Sequence, residues 1–138
     1  MRFMIMLKSD KSAEAGALPS PQFMADMQRF NKALQDAGVW VSAEGLQPTS
    51  KGAIVKVSKV AKPIVMDGPF AESKEVVAGF WIWNVKSKEE AIEWVKRIPA
   101  PPAGEGADEA EIEVRQVFST DDFPPELKAA REKGKTEK

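Results

Sequence analysis

The chain has 138 residues, with 20 basic and 21 acidic side chains, a formal net charge of -1 and 43% hydrophobic residues. That length fits one domain with a short tail, and a charge so close to zero argues against nucleic-acid binding, which needs a basic stripe. Cysteine, histidine and tyrosine are all absent, which removes thiol catalysis, Cys- or His-ligated metal and every Ser-His arrangement, leaving Asp, Glu, Lys and water for acid–base work.

The first apolar run, Phe3 to Leu7, is ended by Lys8, Asp10 and Lys11. It is too short for a signal peptide's apolar region and predicts a first strand. No run approaches the roughly 20 apolar residues of a membrane span, so a soluble, cytoplasmic protein is expected. Ser9 to Leu18 reads as a polar loop. Ser20-Pro21 then opens a helix, with Ser as N-cap and Pro at the first helical position. Phe23, Met27, Phe30 and Leu34 form its apolar stripe, and Gly38 ends it. Val39-Trp40-Val41 begins an extended segment that closes near Gly45.

Residues 53–57 and Pro63 to Met66 read as two strands of a projecting hairpin, joined by Ser58 to Lys62. Asp67-Gly68-Pro69 breaks regular structure. Residues 76–85 are the strongest strand. Trp81 and Trp83 occupy one parity, Phe80 and Ile82 the other, so both faces require cover. Ser87 to Glu90 has the S-x-x-E spacing of a capping box, and Ala91, Trp94, Val95 and Ile98 give the stripe of a second helix that Pro99 closes. A Pro/Gly/Ala loop follows to Asp108. Glu111 to Phe118 alternates as a half-exposed strand. Residues 119–138 read as a charged tail with one short helix near Glu126 to Lys133.

The order strand, helix, strand, hairpin, strand, helix, strand predicts an α+β, ferredoxin-like fold over residues 1–118. Its antiparallel sheet carries two helices on one face and an inserted β-hairpin. Two helices cover only one face, so the other apolar face predicts a homodimer packed sheet to sheet.

The segment Asp67-Gly68-Pro69-Phe70-Ala71-Glu72-Ser73-Lys74-Glu75 sets four ionisable groups and a tight turn before the central strand. With Gly79-Phe80 and the helix at Glu89-Glu90-Ala91, it resembles the YCII-related proteins of the DGPF type. The resemblance implies a dimeric α/β barrel in the bacterial cytoplasm, without a settled activity. It also implies an association with extracytoplasmic-function sigma factors, so an alternative role is a protein-interaction module in transcription regulation. The His-Asp pair of some relatives has no counterpart in a chain without histidine.

Asp67 is the candidate catalytic residue of a small-molecule pocket with lyase- or isomerase-type chemistry. A carboxylate serves as a base near neutral pH only where burial raises its pKa. The alternative is a turn cap that accepts backbone N–H bonds. Lys74, Glu75, Arg115 and Trp40 are the candidate ligand-binding residues. Lys74 and Glu75 read equally as an exposed ion pair, Arg115 as a carboxylate's structural partner, and Trp40 as core. No cofactor is expected. No metal is expected either, because an oxygen-ligand site would need a spacing the chain lacks.

Overall fold

The computed structural model describes residues 1–70, 75–100 and 110–136. Strands β1 (Arg2–Lys8), β2 (Trp40–Gly45), β5 (Val77–Asn84) and β6 (Ile112–Gln116) form one antiparallel sheet in the order β2-β5-β1-β6. Strands β3 (Ala53–Lys56) and β4 (Ile64–Asp67) pair only with each other, as the inserted hairpin. Helices α2 (Pro21–Asp36) and α3 (Lys88–Val95) are the two crossovers of the β-α-β-β-α-β plan. This is the expected ferredoxin-like α+β fold. No helix among the described residues is long and apolar enough to cross a membrane.

The local signals act as their chemistry requires. The Ser20 hydroxyl accepts the Phe23 N–H at 3.1 Å and so caps α2. Gly38, at φ 72°, takes the left-handed turn that ends it, where a Cβ would be strained. Ser87 caps α3 by accepting the Glu90 N–H. The Glu90 carboxylate reaches back one residue further than a capping box predicts, to the Lys86 N–H at 2.7 Å.

Two segments differ from the sequence expectation. The Ser9 to Leu18 loop contains a one-turn helix, α1 (Lys11–Glu14), capped by Asp10, whose carboxylate accepts the Ala13 N–H at 2.8 Å. Its four residues bury nothing, so it carries no apolar stripe to read. Near the C-terminus, helix α4 spans Pro125–Thr136, longer than the short helix expected there. The Pro/Gly/Ala loop lies largely outside the described residues.

The core lies between the sheet and α2 and α3. Phe3 and Ile5 of β1, Trp81 and Trp83 of β5, and Phe30, Leu34 and Ala91 of the helices form it. Trp81 donates its indole N–H to Asn31 at 2.9 Å, and Phe30 meets its ring edge-on. Ile112 and Val114 of β6 close the layer at one edge, Ala43 and Trp40 of β2 at the other.

Strand alternation puts Met4 and Met6 of β1 beside Ile82 and Phe80 of β5 on the opposite face. All four are only partly buried. The helices of the core, α2 and α3, pack on the other face, so neither of them covers this second one.

This burial map predicts an asymmetric response to truncation. Leu34→Ala, at a fully buried position, should cost about 2–5 kcal/mol. Leu18→Ala, at a position 90% exposed, should stay within about 0.5 kcal/mol. Urea unfolding followed by tryptophan emission measures both.

Candidate functional site

The two-stranded hairpin leaves the main sheet after β2 and returns to it before β5. At that root, Pro48 leads into a single 3-10 turn, Thr49–Lys51. Thr49 is the one buried polar residue among those described, and its groups are all engaged. Its N–H donates to the Glu14 carboxylate at 3.0 Å, and its hydroxyl donates to the other oxygen of the same carboxylate. The hydroxyl oxygen in turn accepts the Phe70 N–H at 3.0 Å. One side chain thus ties α1, the 3-10 turn and the segment after Asp67-Gly68-Pro69 together.

Gly68 completes the junction by close approach. Its N–H donates to the Gly52 carbonyl at 3.0 Å. A Cβ at this position would lie 1.7 Å from the Thr49 carbonyl oxygen, so no other residue fits without moving the backbone. The Gly68-Pro69 peptide bond is cis. The Asp-Gly-Pro turn is therefore pressed onto the Thr49 turn, which sets where Phe70 points.

Around this junction lies a cleft of about 500 Å³. Leu46, Phe70, Val76 and Val77 supply apolar walls, while Lys51 and Glu75 bring one charge of each sign. The walls come from the end of β2, the base of the hairpin and the start of β5, where Leu46 N–H donates to Ala78 at 2.8 Å. The cleft is wide open to solvent, and among the described residues its lining offers apolar contact with one charge of each sign. Among the described residues there is no cluster of three or more acidic groups able to hold a metal ion.

The predicted site residues are distributed unevenly around this cleft. Glu75 lines it. Asp67 ends β4 opposite Ala53, is exposed, and does not line the cleft. Its carboxylate has no hydrogen-bond or ion-pair partner among the described residues. The turn is held by Gly68 and the Phe70 N–H. Lys74 lies outside the described residues.

Arg115 sits on β6, opposite Met4, with its side chain 72% exposed and Glu113 at 3.6 Å. That strand is two or three strand spacings from the cleft, roughly 10–14 Å. Trp40 is at the far end of β2, opposite Trp83, and packs on the core. Sequence reasoning missed Thr49, Glu14, Lys51 and Phe70. The one available signal was the Pro48-Thr49 turn preceding the hairpin.

A ferredoxin-like domain with an inserted hairpin and a cleft at the hairpin's root is the class that these observations define. The chain belongs to the YCII-related family: the model of the YCII-related domain matches residues 1–117. An uncharacterized protein of Rhizobium meliloti is 34% identical to it over 73 residues, 53% of this chain. The chain spans 58% of that relative's length. Among solved structures, it is similar to a 5-chloro-2-hydroxyhydroquinone dehydrochlorinase from Burkholderia phenoliruptrix in complex with 2,5-dihydroxybenzoquinone. The identity is 16% and the TM-score 0.44, covering 88% of this chain and 98% of that one.

The Thr49 junction can be tested by substitution. Thr49→Val keeps the volume but leaves the Phe70 N–H and the Glu14 carboxylate short of a partner, and should cost about 1–3 kcal/mol. Thr49→Ser keeps the hydroxyl and should cost about 1 kcal/mol or less. Gly68→Ala should cost at least about 2 kcal/mol through overpacking against backbone. Equal urea midpoints for Thr49→Val and the parent would contradict the junction.

Proposed function

We propose that this protein binds a small organic acid or phenol in the cleft between Leu46 and Val77, and that it does so as a homodimer. The observation that carries the binding reading is the composition of the cleft. Its walls are mostly apolar, an aromatic ring (Phe70) lies on one side, and among the described residues one ammonium (Lys51) is available to an acidic group. Glu75 then receives a hydroxyl or amine donor of the ligand.

The geometry favours binding over proton transfer. Burial strengthens a carboxylate for proton transfer by raising its basicity and excluding water, and both Asp67 and Glu75 are exposed. A lyase- or isomerase-type reaction would therefore depend on the ligand itself, or a second chain, covering Glu75. The DGPF-type segment serves this reading through the close approach of Gly68 to the Thr49 turn, which positions the Phe70 ring in the cleft wall.

The dimer reading rests on the open sheet face. Met4, Met6, Phe80 and Ile82 make a contiguous apolar centre, of the kind that marks an interaction site. Glu44 lies on one flank of that centre; Lys8, Glu113 and Arg115 lie on the other. Sheet-to-sheet packing of two copies covers both centres at once with an isologous contact. The domain boundary proposed with this reading is 1–118, with residues 119–138 as an appended tail. A sigma-factor partner rests on the family resemblance alone.

Amide NMR tests the binding. Titration with a panel of small carboxylic acids and phenols should move the resonances of residues 46–53, 70 and 75–77. Lys51→Ala should weaken the best ligand by up to about fivefold, the range of an exposed ion pair. If no member of the panel shifts those amides at millimolar concentration, the binding reading fails.

A further inference from the structure

Among the described residues, nothing packs on the hairpin beyond its root. Every residue from Ser50 to Asp67 is exposed, and its two strands pair only with each other. A lone two-stranded hairpin is marginal in water. This one is also apolar on both faces, because the cross-strand pairs Ile54–Met66 and Val55–Val65 alternate between them. At its tip, Val57 is 81% exposed and Val60 95%. Exposed apolar strands of this kind are contact surfaces or aggregation sites.

Its charge selects among contacts. Lys51, Lys56, Lys59 and Lys62 stand in this segment against the single acid Asp67, while the whole chain carries -1. The rest of the molecule is therefore net acidic. Two hairpins repel each other, which disfavours edge-to-edge pairing of arms. A hairpin and the body of another copy attract.

Its place in the fold agrees with this. The hairpin springs from the end of the sheet where β2 finishes and β5 begins, and the exposed Glu44 lies one residue before that end of β2. Five extended residues reach about 17 Å, more than the roughly 10 Å between stacked sheets.

We propose that the β3–β4 hairpin is an arm that packs against the body of a second copy of this chain, at the Glu44 rim of its open sheet face. The proposal rests on the dimer reading above and goes beyond it by assigning the arm a role. Each arm then buries Val57 and Val60 against the partner, and Lys56 and Lys59 approach its acidic rim. The root of the arm is the cleft wall, at Lys51, Gly52 and Ala53. Dimerisation and ligand binding therefore act on the same junction.

The chain has no cysteine, so Val60→Cys gives one labelling site. An environment-sensitive dye there should emit to the blue at high concentration and shift to the red on dilution through the dissociation range. Val57→Lys combined with Val60→Lys changes only exposed residues. It should weaken the dimer, followed by sedimentation equilibrium, by about tenfold or more while leaving the far-ultraviolet spectrum unchanged.

A red-emitting, dilution-insensitive dye, together with an unchanged dissociation constant in the lysine variant, overturns the arm while the open-face dimer stands. Nitroxide labels at position 60 found in direct contact with each other indicate arm-to-arm pairing and also overturn it. A monomeric wild-type chain overturns both the arm and the dimer reading. If that monomer binds anionic phosphatidylglycerol vesicles, the hairpin's occupant is lipid.

Discussion

The centre of this fold is a strand that is bulky on both sides. β5 hydrogen-bonds to β1 on one flank and β2 on the other, so it cannot be an edge. Trp81 and Trp83 project from one face, Phe80 and Ile82 from the other. An ordinary antiparallel strand solvates one of its faces and alternates accordingly. Here the indoles are met by Phe30 and Leu34 of α2 and by Ala91 of α3, which fixes the helical layer. On the second face Phe80 and Ile82 are flanked by Met4 and Met6 of β1 and by Ser42 and Glu44 of β2, with no buried layer above them among the described residues. The same strand therefore accounts for the core and for the surface that the proposed dimer covers.

The cleft end of the molecule depends on a second, smaller constraint. The cleft is assembled from segments around residues 46–53, 70 and 75–77, and its shape needs the hairpin root held in place. Thr49 does this by bridging the Glu14 carboxylate and the Phe70 N–H, and Gly68 does it by fitting where a Cβ cannot. The junction couples the 3-10 turn to the Asp-Gly-Pro segment. In consequence, Gly68 and the Phe70 N–H hold this turn through the backbone, while the side chain that makes Asp67 conspicuous stays outside the cleft.

Much of the fold was legible because its signals are local. Ser20-Pro21 with the Phe23 to Leu34 stripe marks α2, Ser87 marks α3, and doubled apolar parity marks β5. Each signal acts within a few residues of the structure it specifies. The site was less legible because its contacts are not local. Glu14 lies 35 residues before Thr49, and Phe70 lies 21 residues after it. α1 was missed because Asp10 caps a single turn that buries nothing, and caps without a stripe read as loop. Glu75, singled out with Lys74 as a charged pair near Asp67, lies on the cleft because it adjoins the start of β5. Arg115 and Trp40 were grouped with it because sequence order says nothing of the distance across a sheet, or of which end of β2 meets the cleft.

The central claim is that the open face of β5 is covered by a second copy of the chain. Methionine methyl groups report on it directly, since Met4 and Met6 lie at its centre. In a sample mixing one copy labelled at the methionine methyls with one unlabelled copy, isotope-filtered NMR should show intermolecular contacts to the methyls of Met4 and Met6. Strong contacts for those two, with none to Met24 on the exposed side of α2, would be the predicted result. A fully associated sample with no intermolecular contact at Met4 and Met6, or a monomer at NMR concentration, would contradict the account.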